Sequence, residues 1–110
     1  FVCGNMPGSH WNQLLSNARI RNIKVEITIE DAWHQFQKQN GKCALTGLEL
    51  AFPTYSVGSD GTASLDRINS SIGYVVGNIQ WIHKTVNYIK RDLNETEFVD
   101  WCRKIVEFKS

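Results

Sequence analysis

Apolar residues recur along this chain in two periods. Trp11, Leu14, Leu15 and Ala18 lie three and four apart, the spacing of one helical face, and predict a helix over about residues 9–21 capped by Ser9. Residues 1–8, with Gly4, Pro7 and Gly8, read as an irregular arm ahead of it. Residues 23–28 alternate apolar and polar, the period of a short half-buried strand. Thr28-Ile29-Glu30-Asp31 has the form of a capping box with Asp in place of Glu. The helix behind it runs to about Gln39, buries Ala32, Trp33 and Phe36, and closes at Asn40-Gly41. Residues 42–47 predict a strand turning at Gly47, residues 48–52 its continuation, and residues 53–61 a loop. Residues 62–68 then return as the second strand of a hairpin. After a polar loop over 69–77, Asn78 is a natural cap for a helix whose buried face is Ile79, Ile82, Val86, Ile89 and Leu93. Asn94 and Glu97 start a last helix, with Phe98, Trp101, Cys102 and Ile105 facing inward.

The order predicts an α+β domain: a hairpin-plus-helix core flanked by helices. With 110 residues the chain reads as one domain, residues 1–110. Hydrophobic content of 42% and four Trp mark a packed protein rather than a disordered one. No apolar run has the length of a membrane span and no stretch reads as a signal peptide, so no membrane partner is expected. The chain opens on Phe1, which predicts further residues ahead of it in the full protein. Cys3, Cys43 and Cys102 are odd in number and far apart. That pattern excludes a disulfide framework and predicts no structural zinc; a reducing cytoplasm fits it.

Net charge is only +1, so nucleic acid is not announced by overall charge. It is suggested locally, by Arg19, Arg21 and Lys24 and by Lys84, Lys90 and Arg91. Asp66 ends a strand between the two clusters, and His83, Asn87 and Lys90 form a stripe on the helix expected after the loop. A carboxylate facing an imidazole, an amide and an ammonium is a plausible site for a metal ion and a phosphate.

Over about residues 43–90 these features resemble the HNH endonucleases, also called His-Me finger or ββα-metal nucleases. Asp66 matches the family's metal-binding Asp, Asn78 its mid-motif Asn, Asn87 its helical metal ligand and Lys90 its trailing Lys. Arg67 stands where the family usually has its catalytic His. The phrase from Ser64 to Lys90 looks like an Asp-Arg group associated with phage, homing or restriction nucleases. The resemblance implies a ββα-metal core and metal-dependent hydrolysis of DNA phosphodiester bonds. Mg²⁺ or Mn²⁺ would sit on Asp66 and Asn87, hard oxygen donors that leave room for water and phosphate.

A guanidinium stays protonated at any working pH, so Arg67 is expected to clamp phosphate rather than accept a proton. His83, one helical turn before Asn87 in this reading, is the expected base, with His10 and His34 in reserve. Asn78 is expected to tie the loop to the helix, and Tyr74, Lys84, Lys90 and Arg91 to meet DNA. The alternative is a DNA-binding module that kept the HNH fold and lost catalysis when Arg67 replaced the His.

Overall fold

The computed structural model describes residues 2–4, 6–53 and 61–110. Much of the loop expected over 53–61 therefore lies outside the described residues. The elements are β1 (Val2–Cys3), β2 (Met6–Pro7), α1 (Gly8–Ile20), α2 (Ile29–Lys38), β3 (Ala63–Arg67), β4 (Ile79–His83), α3 (Lys84–Lys90) and α4 (Glu95–Lys109). The fold is mixed α+β: two separate two-stranded antiparallel sheets, β1–β2 and β3–β4, with helices around them. Among the described residues no helix is long and apolar enough to cross a membrane.

The hairpin β3–β4 is the centre. Its register pairs Leu65 with Trp81 and Asp66 with Gln80. Leu65, Ile79 and Trp81 join one core with Trp11 and Ala18 of α1 and Ala32 and Phe36 of α2. Trp81 is fully buried, and its indole Nε1 donates to the Ala32 carbonyl at 2.8 Å. A buried indole keeps its polar tip satisfied in this way. The side chain of Gln39, just past α2, both donates to and accepts from the Trp81 backbone (2.8 and 2.9 Å), standing in for a neighbouring strand on β4's outer edge.

Several expectations hold locally. Thr28 and Asp31 form both halves of the capping box, at 2.9 and 3.1 Å. Asn40 and Gly41 end α2 with φ of 56° and 69°.

Others are corrected. The partner of β3 is β4, not residues 42–52. Residues 42–49 fold instead into a tight turn, with Lys42 bridged to Glu49 and the Cys43 N–H donating to the Leu48 carbonyl at 2.7 Å. The helix expected from Asn78 begins only at Lys84, because residues 79–82 are a strand buried on both faces. Continuous burial removes the alternation that marks a half-exposed strand. Ile89, expected in the core, is 60% exposed. The strand expected over 23–28 reduces to one bridge, Val25 to Tyr74. The first residues are a small ribbon rather than an irregular arm, and Met6 in it is fully buried. The Asn94 side chain does not cap α4 but accepts from the Ser70 N–H at 2.9 Å. Of the inward face expected on α4, only Phe98 is buried.

Candidate nucleic-acid groove

Strand alternation sorts the residues of β3 onto two faces. Ala63, Leu65 and Arg67 share one, Ser64 and Asp66 the other. Helix α3 lies against the second. Its Asn87 Nδ2 donates to Ser64 Oγ at 2.6 Å, and Lys90 Nζ donates to Asp66 Oδ1 at 3.1 Å and to the Arg67 carbonyl at 3.2 Å. From the paired position on β4, Gln80 Nε2 donates to Asp66 Oδ2 at 3.0 Å. The Asp66 side chain is 5% exposed and that of Lys90 is 0%. Two opposite charges are thus sealed under α3 with their hydrogen bonds met, the condition under which a buried ion pair is tolerated. The expectation that Lys90 meets DNA is corrected: its ammonium is inside the fold.

The loop between β3 and β4 is tied by Asn78. Its Oδ1 accepts from the Asn69 N–H at 2.9 Å, and its Nδ2 donates to the carbonyls of Asn69 (3.1 Å) and Gly73 (2.9 Å). Asn78 is therefore a structural clasp within the loop, not a helix cap. Arg67 is held by the same loop. Its Nη1 donates to the carbonyls of Ser70 (2.6 Å) and Ile72 (3.3 Å), and the guanidinium lies 5.8 Å from the Tyr74 ring centroid. Burial pushes the Tyr74 hydroxyl above its ordinary value, partly offset by the charge of Arg67. Tyr74 is 8% exposed, so it packs the loop rather than offering an open face to DNA.

A polar groove runs between α1, β3 and α3. One cavity of about 520 Å³ is lined by Arg21, Lys84, Asn87, Tyr88, Arg91 and Asp92. Another, of about 230 Å³, includes His10, Gln13, Asn17, Arg21, Ser64 and Asn87. A third holds only about 30 Å³ and brings together Arg21, Asp66, Arg67, Tyr74, Asn87 and Arg91. Arg21 and Asn87 line all three. Asp92 is the counter-charge, 3.0 Å from Arg21 and 3.8 Å from Arg67. Guanidinium groups outnumber carboxylates here, so the groove suits anionic phosphate.

The histidines are placed differently from expectation. His83 ends β4 and caps α3, its Nδ1 accepting from the Thr85 N–H at 3.1 Å. As the N-cap it has an extended backbone rather than a helical one, and it lines none of these three cavities. His34 is exposed on α2. His10 does line the groove, with its ring stacked on Trp81 at 6.2 Å between centroids. Burial lowers its pKa from the ordinary value near 6.5, so the ring is neutral at pH 7.

Sequence reasoning does not single out Ser64, Tyr88 and Asp92 as site residues; it names Arg21 only as part of a basic cluster and holds His10 only in reserve. A signal for two of them is present: His10, Gln13, Asn17 and Arg21 recur at spacings of three and four, a polar stripe beside the apolar one.

Asp66 and Asn87, the two residues with oxygen donors suited to a divalent ion, both line the smallest of these cavities. A carboxylate has about four lone-pair sites, and hydrogen bonds from Lys90 and Gln80 occupy two here. Mg²⁺ commonly takes one or two protein oxygens and completes its shell with water and substrate phosphate, so the donor set fits an ion arriving with its substrate. Among the described residues no group of three or more His, Cys, Asp or Glu is placed to hold a metal by itself. No family model, no curated protein and no solved structure matches this chain.

Proposed function

We propose that the chain is a metal-dependent endonuclease that hydrolyses DNA phosphodiester bonds in the groove between α1, β3 and α3. The observation that carries this reading is the smallest cavity: Asp66, Arg67 and Asn87, the first two well separated in sequence from the third, line it together with Arg21 and Arg91. In this reading Arg21 and Arg91 bind the phosphate oxygens, and Arg67, fixed by the Ser70 and Ile72 carbonyls, adds positive charge where the transition state gains negative charge. Asp66 and Asn87 would hold Mg²⁺ or Mn²⁺, which would supply a Lewis acid for the phosphoryl oxygens and for water. The base is assigned to His10, which lines the adjoining cavity with Asn87 rather than the one that Asp66 lines: it would take the proton of the attacking water while the P–O3′ bond breaks and the 3′ oxygen takes a proton from solvent.

The second reading, a DNA-binding module without catalysis, is favoured by one observation. Both Asp66 oxygens already accept hydrogen bonds, one of them from a buried ammonium. Incubation of supercoiled plasmid with the protein and Mg²⁺, Mn²⁺ or EDTA separates the two. Nicking with either ion, abolished by EDTA, supports the nuclease. Intact plasmid in every lane together with salt-sensitive DNA retardation supports the module. Intact plasmid without retardation removes both.

A further inference from the structure

We propose that α4 is a self-association element, pairing antiparallel with α4 of a second copy of this chain. The helix docks by its first turn: the Glu95 N–H donates to the Ile68 carbonyl at 3.1 Å and Phe98 is buried. Every residue from Trp101 to Ser110 is exposed. Trp101 (54% exposed), Ile105 (60%) and Phe108 (87%) nevertheless repeat at four and three, the narrow seam of a two-helix pairing. Val99 and Val106 flank it, 49% and 61% exposed. A contiguous apolar strip on one projecting helix marks an interaction surface.

Charge and symmetry choose the occupant. The first turn of α4 carries Glu95 and Glu97, while its last turn carries Lys109. An antiparallel copy sets the acidic start of one helix against the basic end of the other. With Phe98 and Ile105 as one seam position and Trp101 and Phe108 as the other, Trp101 stacks on the partner's Ile105, and the reverse. Phe108 reaches the base of the partner helix, beside the Phe98 already buried in its own chain. Glu95 and Lys109 then fall on the same flank, opposite the partner's Lys109 and Glu95. Lys104 comes near its own copy across the two-fold axis, and that charge is already answered by Asp100 at 3.1 Å. A single surface that complements itself is the requirement of a two-fold dimer. A parallel pair would bring the two acidic starts together at one end and leave Glu95 and Lys109 unpaired.

Sedimentation equilibrium of the chain across about 1–300 µM, the range that spans weak symmetric dimers, is expected to show monomer passing to dimer. Trp101→Glu should weaken the dimer more than about thirtyfold, as removal of a central aromatic anchor does. Ile105→Glu, on a stretch exposed throughout, gives the same reading if the Trp101 variant fails to fold. Glu95→Lys should weaken the dimer by about three- to tenfold, and adding Lys109→Glu should restore it, because each swap is answered by the partner's. A monomer at every concentration overturns the proposal. So does a dimer indifferent to the Trp101 and Ile105 variants, and failure of the double charge swap to restore association overturns the antiparallel arrangement.

Discussion

Lys90 Nζ stands 3.1 Å from Asp66 Oδ1, and neither side chain reaches solvent appreciably. The pair joins α3 to β3 across the face that also carries Asn87 and Ser64. Sequence alone gives its members separate work, one on a metal and one on DNA. They are instead each other's counter-ion, which makes the site's carboxylate part of the frame that positions it.

The first prediction concerns that pair. Lys90→Met should destabilise the fold by about 3–5 kcal/mol, because it strands a buried carboxylate. Asp66→Ala should cost a similar amount by stranding the ammonium. Lys90→Met paired with Asp66→Leu should recover much of the deficit, since an apolar pair leaves no charge to desolvate. Urea unfolding of the four proteins measures this; two additive deficits would mean that the residues do not act as a pair. Reduced activity in Asp66→Ala alone therefore reports on folding as well as on metal binding.

Asn78 is the second case. Its side-chain amide meets four backbone groups of the loop that carries Arg67's anchors. Asn78→Ala should cost about 2–3 kcal/mol, because the substitution removes those hydrogen bonds and leaves their backbone groups unpaired. It should also raise hydrogen exchange at residues 69–74 more than in the hairpin strands. Uniform exchange across the domain would count against a local clasp.

The third prediction separates the groove cations from the buried one. Lys84→Ala with Arg91→Ala should reduce the slope of log binding constant against log salt by about 1–2 units, close to one for each phosphate that the protein no longer neutralises. Arg21→Ala should act in the same direction. In a variant that folds, Lys90→Met should leave the slope unchanged, because its charge is sealed and already balanced by Asp66. A slope insensitive to Lys84 and Arg91 would move the DNA to another face.

The motif is legible in the sequence because its residue types do local work. Asn78 and Asp66 stand out from their place around a Gly-punctuated loop, and the capping box at Thr28 and Asp31 needs only four residues. The error over 79–83 has a physical source. Ile79, Ile82 and Val86 lie three and four apart, which a helix requires and a strand buried on both faces permits. Deciding between them takes knowledge of what covers each face: α3 over Gln80 and the α1–α2 core over Trp81. That knowledge is long-range, since Gln39 and Ala32 reach Trp81 across more than forty residues. The same error displaces His83, whose expected position assumes a helix. The groove's far wall is hidden for a different reason. The polar stripe of α1 is visible in sequence, but nothing local says that it faces Asn87.

The last prediction follows from that wall. His10 is the histidine that lines the groove, and burial holds its pKa below the ordinary value of about 6.5. If it is the base, cleavage should climb as pH rises through that lowered pKa and level off at a lower pH than an exposed histidine would give. His10→Gln should cost about a hundredfold or more and abolish that limb of the profile, which is the ordinary size of a base's contribution. His83→Ala should retain the limb, since its Nδ1 is engaged with the Thr85 N–H away from the groove. Stability carries an independent reading of the same group. A histidine whose folded pKa is depressed binds more protons unfolded than folded, so its contribution is fully present above the unfolded pKa and disappears as pH falls through the folded one. Urea midpoints measured from pH 8 to pH 5 should therefore decline more steeply for the wild-type chain than for His10→Gln. Equal declines would show that His10 is not held neutral by burial, and a wild-type cleavage profile in His10→Gln would remove it as the base.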